Sequence, residues 1–186
     1  MGDWSDRAAW LRVRLQLPLA LGYFWFAEPS IESLLVAAAL MVLGLLIRGW
    51  AAGHVRKYDG VTVTGPYAWV RHPLYLGTAV LLVALAVAAR NVWLAGLIAM
   101  YFLAFFIPTF RREERFKLAE SDDFYEFYRA VVPALIPGLR PRQFRQAAAG
   151  KARKFSFQTY QHNREWRASV AAAAMLGMLY ARIVLL

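Results

Sequence analysis

Five long apolar runs dominate this sequence and limit the folds that it can adopt. They are Leu15–Ala27, Ile31–Ile47, Leu74–Ala89, Val92–Phe110 and Ala168–Leu186. A helix that crosses a bilayer needs about 20 residues of this kind, and an amphipathic lead-in at helical spacing lengthens the first run. Hydrophobic residues make up 60% of the chain, more than is usual in a soluble domain. We therefore expect a single all-α domain over residues 1–186, a polytopic membrane helical bundle with about five transmembrane helices.

The expected spans cover residues 11–27, 31–48, 74–89, 92–110 and 168–186, and they leave two longer polar segments, 49–73 and 111–167. The remaining turns, at 28–30 and 90–91, are too short to build a site. Function should therefore reside in the two polar segments or in the membrane just above them. A water-soluble helical bundle is the alternative, but helices with so few charges would leave it too little polar surface.

Basic residues are concentrated on one side of this topology. The formal net charge is +10, from 22 Lys and Arg against 12 Asp and Glu. Twenty of the 22 basic residues fall in segments 1–14, 48–73 and 111–167, and Lys- and Arg-rich loops stay on the cytoplasmic side of a membrane. We predict a multi-pass integral membrane protein with its N-terminus inside and its active site facing the cytoplasm. Anionic membrane lipid accounts for the charge, so we expect no nucleic-acid partner.

Composition excludes several kinds of site. The chain has no cysteine, which rules out disulfides, thiolate nucleophiles and thiolate metal ligands. Its three histidines, at 54, 72 and 162, lack the spacing of metal ligands, so we expect no metal. Acidic Asp3 and Asp6 precede the first apolar run and no cleavage motif follows it, so we also expect no cleavable signal peptide.

The first motif that suggests chemistry is the segment from Gly65 to Gly77, Gly-Pro-Tyr-Ala-Trp-Val-Arg-His-Pro-Leu-Tyr-Leu-Gly. Pro73 favours an extended backbone at His72 and suits the first turn of a helix. A helix N-terminus beside an imidazole attracts negatively charged groups, including a carboxylate. A capped helix start, with Tyr75 as an interfacial anchor, would produce the same pattern.

The second motif is the acidic pair Glu113-Glu114, which lies among arginines at the inner end of the fourth run. Such a pair is commonly part of a solvated surface of ion pairs. At a helix exit it also suits the binding of an amino group or of ribose hydroxyls, because the arginines favour its ionised form.

The third motif is an aromatic stripe at Phe124, Phe127 and Tyr128, followed by Pro133, where the helix should end. Taken alone, it predicts an interfacial helix that lies over the bundle.

In this order, the motifs resemble the isoprenylcysteine carboxyl methyltransferase and phospholipid N-methyltransferase superfamily of integral membrane enzymes. The resemblance covers residues 44–137, about half of the chain, and rests on Arg-His-Pro-x-Tyr-x-Gly, a helical hairpin, Glu-Glu and Tyr-x-x-Tyr. It implies S-adenosylmethionine as the cofactor and S-adenosylhomocysteine as its product. The cofactor-binding residues it implies are Tyr67, Arg71, His72, Pro73, Tyr75, Gly77, Glu113 and Glu114.

The stretch from Gly44 to Ala51 is similar to the family's Gly-x-x-x-Arg-x-x-Ala element, whose arginine faces the reaction centre. The resemblance therefore makes Arg48 the catalytic candidate, although a helix-end arginine that only reaches the membrane surface would fit the sequence too. As substrate contacts we expect Tyr128, Asn163 and Glu165. The last two lie in the tail, 151–186, which has no counterpart in the family pattern and would equally suit a polar interfacial helix.

The expected function is transfer of a methyl group from S-adenosylmethionine to a lipophilic substrate that enters from the bilayer. A carboxylate, a lipid amine and a thiol all remain open as the acceptor. The sequence departs from the family at Glu120–Asp123, where a Phe-Gly pair is common. An NADPH-dependent, sterol-reductase-like membrane oxidoreductase is the main alternative, because those enzymes share an Arg-His-x-x-Tyr-x-Gly segment. His72-Pro73 and Glu113-Glu114 favour methyl transfer, and a non-catalytic membrane adaptor would bind neither cofactor.

Overall fold

The computed structural model describes residues 4–56, 60–120, 123–138, 142–151 and 153–185, excluding the side chains at 4–10, 12–13, 16–17, 119–120, 123, 142–143 and 145. This part of the chain is helical and contains no strand, as the apolar runs predict. The helices are α1 (Trp4–Phe26), α2 (Ile31–Ala52), α3 (Pro73–Ala89), α4 (Val92–Tyr101), α5 (Ile107–Glu120), α6 (Asp123–Val131), α7 (Arg142–Ala148), α8 (Phe157–His162) and α9 (Trp166–Leu185). A π-helical turn, Phe102–Phe106, joins α4 to α5, and short 3-10 turns occupy Gly65–Ala68 and Ala149–Lys151.

Three of the described helical runs are long and apolar enough to cross a membrane. They are Ile31–Ala52, Val92–Leu118 and Trp166–Leu185. Pro73–Ala89 is apolar but shorter, and α1, which contains Pro18, is not among the three. The structure therefore supports an integral membrane protein with three candidate spans, while the count of five stays a prediction.

Two helices continue beyond the ends that the apolar runs indicate. Helix α2 ends at Ala52 instead of residue 48, so Arg48 lies inside a helix. Helix α5 reaches Glu120, ten residues beyond the predicted end at Phe110, so the acidic pair is helical as well. The extension of α2, Gly49 to Ala52, follows the charged Arg48, and the extension of α5 is mostly charged, so a continuous apolar run marks neither of them. Neither extension contains a proline. Pro108 cannot donate a backbone hydrogen bond, and the π-helical turn ends two residues before it, at Phe106.

The described residues fall into two compact units. Unit 1 comprises Met1–Leu43, Ala79–Glu113 and Val170–Leu186. Alanines supply much of its core, and five of them, at 27, 37, 84, 88 and 89, have no exposed surface. Small residues of this kind let helix backbones approach closely.

Unit 2 comprises Gly44–Thr78 and Glu114–Ser169, and its apolar cluster is more aromatic than that of unit 1. The members of that cluster are Val63, Ala68, Tyr125, Tyr128, Val132, Phe144 and Ala148. The predicted stripe on α6 packs at this cluster, where Tyr128 is buried and Phe124 and Phe127 are partly buried. Tyr125, which the stripe did not include, is buried as well. Every predicted site residue except Glu113 belongs to unit 2.

Candidate active site

A buried carboxylate, Glu114 on α5, joins two of the predicted cofactor residues. Its Oε1 atom lies 2.9 Å from Nε2 of His72 and 3.2 Å from Nη1 of Arg71. An ionised carboxylate only accepts hydrogen bonds, so Nε2 of His72 is the donor. Glu114 is 8% exposed and His72 is 3% exposed, so solvent screens this group of charges weakly.

Arg71 has unused hydrogen-bonding capacity. Its Nη1 atom is at ion-pair distance from Glu114 but is not aligned for a hydrogen bond. Within the part of the chain that the structure describes, buried Nε and Nη1 of Arg71 have no hydrogen-bond acceptor. Buried donors without acceptors are costly, so this guanidinium is suited to receive an anionic group.

The chain after α6 holds this segment in place. The backbone amides of Arg71 and His72 donate to the carbonyl oxygens of Pro133 and Ala134 over 2.9 and 3.0 Å. The amide of Gly138 donates in turn to the carbonyl of Trp69 over 3.0 Å. The proline that follows α6 therefore does more than end a helix, because it begins a strap that pairs with the segment bearing Arg71 and His72.

The tyrosines occupy supporting positions around that segment. The Tyr128 hydroxyl donates to the backbone carbonyl of Tyr67 over 2.7 Å. Burial raises the pKa of Tyr128 above its usual range, which keeps this hydroxyl a donor. The Tyr75 ring lies 5.7 Å from the His72 ring, centroid to centroid. Tyr128, expected at the substrate, is thus placed in the unit 2 core with its hydroxyl on the backbone.

The two adjacent glutamates do not share one environment. Glu114 is buried and contacts Arg71 and His72, whereas Glu113 is exposed. Consecutive residues point about 100° apart on an α-helix, so a sequence motif of two neighbours seldom supplies two convergent side chains. The structure brings together Arg71, His72 and Glu114 and leaves Glu113 outside that cluster.

Arg48, the catalytic candidate, forms a bidentate ion pair with Glu165. Its Nε and Nη2 atoms donate to Oε1 and Oε2 of Glu165 over 2.5 and 3.0 Å. The third nitrogen, Nη1, donates to the Thr78 hydroxyl over 2.5 Å and to the Leu74 carbonyl over 3.4 Å. Thr78 itself donates to Leu74 over 2.9 Å. Thr78 was missed by sequence reasoning, although it lies one residue after the Gly77 that ends the first motif.

Gly77, on α3, packs directly against α2. A Cβ atom at this position would be 2.5 Å from Cγ of Arg48 and 2.8 Å from the backbone oxygen of Gly44. Both distances are too short for a carbon atom. Because the oxygen of Gly44 is a backbone atom, a side chain at residue 77 would require α2 to shift. Its observed contacts therefore assign Gly77 a packing role behind Arg48, in addition to any role in cofactor binding.

The tail contributes two of the predicted substrate residues, and each contacts α2 or the residues just after it. Asn163 donates to the carbonyls of Ala52 and Val55 over 2.8 and 3.0 Å, which satisfies acceptors left open at a helix C-terminus. Glu165 contacts Arg48, as described above. Neither pairing was predictable, since more than 100 residues separate the partners in sequence.

His54 was also missed by sequence reasoning. It is 7% exposed, its Nδ1 lies 2.8 Å from the Trp50 carbonyl, and its ring packs edge-on against Phe155. Gly65, at φ +62°, has space for a hydrogen only, because a Cβ there would overlap the His54 ring. Within the described residues no group of three or more His, Cys, Asp or Glu side chains is arranged to hold a metal ion.

A model of the phospholipid methyltransferase family matches residues 20–119, more than half of the chain. This chain belongs to that family. The matched segment contains Arg48, Arg71, His72 and Glu114 and stops well before Glu165. Family membership implies a membrane methyltransferase, which favours methyl transfer over the reductase alternative.

Two bacterial proteins are similar to this chain. The nickel-cobalt-cadmium resistance protein NccN of Alcaligenes xylosoxydans xylosoxydans is 32% identical over 113 residues, 56% of this chain and 53% of that protein. The cobalt-zinc-cadmium resistance protein CzcN of Cupriavidus metallidurans is 26% identical over 135 residues, 68% of this chain and 62% of that protein. The chain thus spans between half and two thirds of these relatives. No solved structure is significantly similar to it.

Proposed function

We propose that this chain is an S-adenosylmethionine-dependent methyltransferase that acts on a lipophilic acceptor dissolved in the membrane. The observation that carries the proposal is the buried cluster of Arg71, His72 and Glu114, which lies inside the segment matched by a methyltransferase family. Buried charges are costly unless they are paired or bind a charged partner, and this cluster is only partly paired.

The residues present fit the cofactor's polar groups. The Nε and Nη1 atoms of Arg71, which lack acceptors among the described residues, suit the cofactor's carboxylate. Both contacts that Glu114 makes there fall on Oε1, so Oε2 is the oxygen that suits an amino group or a ribose hydroxyl. Charge-assisted hydrogen bonds of this kind are stronger than neutral ones.

The cofactor supplies a methyl group that is already electrophilic because it is bonded to a sulfonium sulfur. The protein then has mainly to hold the acceptor in line and to exclude water, and such positioning lowers a barrier by several kcal/mol, about 7–11 in favourable cases. Arg48 is suited to positioning because Glu165 and Thr78 fix the plane of its guanidinium.

The proposed setting is the cytoplasmic side of a membrane. Three candidate spans and the basic segments 48–73 and 111–167 support it. We propose five spans, an N-terminus inside, access for the cofactor from the cytoplasm and entry of the acceptor from the lipid. The names of NccN and CzcN refer to metal resistance, and methylation of a membrane component by a related protein is compatible with such a role.

Calorimetry with S-adenosylhomocysteine tests the proposal on the purified chain, with the neighbouring glutamates as a matched pair. Glu114→Gln should weaken binding about tenfold or more, because a lost hydrogen bond to a charged group costs about 1.5–3 kcal/mol. Glu113→Gln should have a smaller effect, because that side chain is exposed and its charge is screened. His72→Ala should also weaken binding, and circular dichroism should show that the variant keeps the helical fold.

Two results would contradict the proposal in different ways. Tight binding of NADPH with no binding of S-adenosylhomocysteine would support the reductase alternative. Binding of neither molecule by the folded wild-type chain would support a non-catalytic adaptor.

A further inference from the structure

Aromatic side chains are exposed along residues 153–167, the segment that leads into α9. The exposed rings are Phe155, Phe157 and Trp166. Helix α9 begins at Trp166 and is a candidate membrane span, so the segment meets the bilayer at its surface. Aromatic rings concentrate at that level of a membrane. The membrane surface, which the span itself requires, is therefore the occupant that suits these exposed rings.

Basic side chains accompany these rings. Lys154, Arg164 and Arg167 are exposed, and within the described part of the chain no carboxylate pairs with any of the three. The sole acidic residue between positions 153 and 167 is Glu165, and it is already paired with Arg48. Anionic headgroups attract basic clusters of this kind beside a membrane span. The segment is therefore complementary in charge to anionic lipid.

The same segment is docked on the end of α2, the helix that carries Arg48. The backbone amide of Ser156 donates to the carbonyl of Gly53 over 2.9 Å, and the Asn163 side chain donates to two more carbonyls at that end. Glu165 completes the docking through its bidentate pair with Arg48. The segment thus contacts the helix of the catalytic candidate while its aromatic rings and basic side chains remain exposed.

Docking changes the charge that the segment presents. In the docked segment the Glu165 side chain is only 10% exposed and its charge is matched by Arg48. If the pair were broken, the same carboxylate would lie beside Arg164 and would repel an anionic headgroup. Anionic lipid therefore binds the docked segment more tightly, and a ligand shifts an equilibrium by that difference in affinity. Coupling of this kind is reciprocal, so bound lipid stabilises the pair.

We propose that residues 153–167 bind anionic phospholipid headgroups of the cytoplasmic leaflet, and that this binding holds Glu165 against Arg48. Through this link the lipid composition of the leaflet regulates the catalytic candidate. The inference rests on the proposed methyltransferase function for that consequence, whereas the lipid contact itself does not depend on it. The segment lies outside the part of the chain that the family model matches, residues 20–119, so family membership does not supply this property.

The first experiment compares two lipids on the wild-type chain in a neutral detergent. Phosphatidylglycerol and phosphatidylcholine carry the same fluorescent acyl chain, and fluorescence anisotropy reports their binding. We expect phosphatidylglycerol to bind at least about tenfold more tightly, and this preference should decrease as salt screens the charges. Inorganic phosphate at the same concentration should not displace the lipid. Equal binding of the two lipids, or displacement by inorganic phosphate, would overturn the proposal.

The second experiment locates the contact. Arg164→Gln/Arg167→Gln removes two positive charges from the segment and should weaken phosphatidylglycerol binding at least about tenfold, because each basic residue near the headgroups adds to the attraction. The matched control, Arg115→Gln/Arg129→Gln, removes two charges from exposed arginines elsewhere in unit 2 and should retain most of the affinity. Equal losses in the two variants would show that net charge alone attracts the lipid, which contradicts the assignment to this segment.

The third experiment tests the link to Arg48 with a double-mutant cycle. Arg48→Gln releases the Glu165 carboxylate, so phosphatidylglycerol affinity should fall at least about fivefold further than in Arg129→Gln, which removes the same charge. Glu165→Gln should restore the affinity in the Arg48→Gln background and should change it little in the wild type, where the carboxylate is already paired. The same gain in both backgrounds would refute the link, because the effects of uncoupled charges add.

A fourth measurement needs no variant. The backbone amides of Asn163 and Ala168 donate within the turn that presents Glu165, each over 3.0 Å, so their hydrogen exchange reports opening of that turn. None of the four experiments uses the cofactor, so their failure would leave the proposed function standing, and absent binding of S-adenosylhomocysteine would leave the lipid contact standing. Exchange at both amides should be slower in phosphatidylglycerol than in phosphatidylcholine, and equal exchange in the two lipids would contradict the link to Arg48.

Discussion

The two units of this protein use polar side chains for different purposes. In unit 1 they hydrogen-bond to backbone carbonyls: Tyr23 to Leu85 over 2.9 Å, Ser33 to Ala88 over 3.3 Å, Asn91 to Phe26 over 3.2 Å, and Arg182 to Phe24. In unit 2 Tyr128 and Asn163 make contacts of this kind as well, but charged side chains also contact each other, in the pairs Arg48–Glu165, Arg71–Glu114 and His72–Glu114. Contacts of the first kind supply hydrogen-bond donors to backbone carbonyls near helix ends. Contacts of the second kind fix the positions of charged groups.

This difference follows from what surrounds each set of side chains. A carbonyl near a helix end in an apolar setting needs a donor, because no water is present to supply one. The four contacts of unit 1 meet that need. Unit 2 keeps buried polar capacity, above all at Arg71 and Glu114. The comparison indicates that unit 1 is chiefly scaffold and that ligand chemistry belongs to unit 2.

Orientation in the membrane gives the largest expected effect, because it is all or none. The chain has no native cysteine, so Gly150→Cys and Val92→Cys each introduce a single thiol. A Cβ at Gly150 meets no atom within 4 Å, and Val92, the first residue of a candidate span, is 77% exposed, so the protein itself covers neither thiol. In intact cells a membrane-impermeant maleimide should label Val92→Cys and should reach Gly150→Cys only after permeabilisation.

Labelling of Gly150→Cys from outside intact cells would reverse the predicted orientation. It would also place the polar segment of unit 2 on the opposite side of the membrane from the cytoplasmic cofactor. That result would contradict the assignment of ligand chemistry to unit 2. Labelling of both variants after permeabilisation is the control for thiol reactivity.

The next effect concerns the charged contacts of unit 2. Arg48→Lys keeps a positive charge on a long stem but lacks the planar fork that pairs with Glu165. We expect unchanged expression and cofactor affinity, and methyl transfer reduced by at least about tenfold, equivalent to about 1.4 kcal/mol in the transition state. Steady-state rates together with calorimetry separate the two quantities.

Arg129→Lys is the matched control, because Arg129 is exposed on α6 of the same unit. It should leave rate and affinity unchanged. If Arg48→Lys behaves in the same way, Arg48 serves as a membrane anchor and the catalytic candidate is lost.

The smallest effect compares one glycine from each unit. Gly77→Ala introduces a Cβ against Arg48 and the backbone of Gly44, and overpacking of this kind costs about 1–3 kcal/mol. Gly96→Ala, on α4 of unit 1, introduces a Cβ into open space, and the higher helix propensity of alanine should stabilise the protein by up to about 1 kcal/mol. Thermal unfolding in detergent measures both, and equal unfolding temperatures for the two variants would contradict the packing role of Gly77.

Much of the fold can be predicted from the sequence, because hydropathy and the positions of prolines depend on local structure. The helix starts at Ile31, Pro73 and Val92 follow the apolar runs closely. Helices α2 and α5 continue past the predicted spans, to Ala52 and Glu120, and a helix need not end where its membrane span ends. The sequence predicts five spans, whereas the described residues contain three candidate membrane-spanning helices. The difference arises because the first half of α1 is polar and α3 is short.

The candidate site could be predicted only where its residues belong to an ordered set of sequence motifs. The resemblance selected Arg71, His72 and Glu114, and the structure brings these three together. It gave no means of pairing Arg48 with Glu165, because the partners lie 117 residues apart and the tail has no family counterpart. Nor could a sequence motif distinguish Glu113 from Glu114, since that distinction depends on burial.

The π-helical turn at Phe102–Phe106 sets the angular phase of everything that follows it on the helix. A single π-helical turn takes up one residue more than an α-helical turn, and one residue corresponds to about 100° around the axis. In an uninterrupted α-helix from Val92 onward, Glu113 would therefore occupy the direction that Glu114 now has. The π-helical turn, about ten residues earlier, thus determines which of the two neighbouring carboxylates faces inward. That stretch, Phe102 to Phe106, has no charged side chain. A substitution that converted this turn to regular α-helix at the same chain length would exchange the directions of the two glutamates, whereas deletion of one residue with the same conversion would leave Glu114 in its present direction.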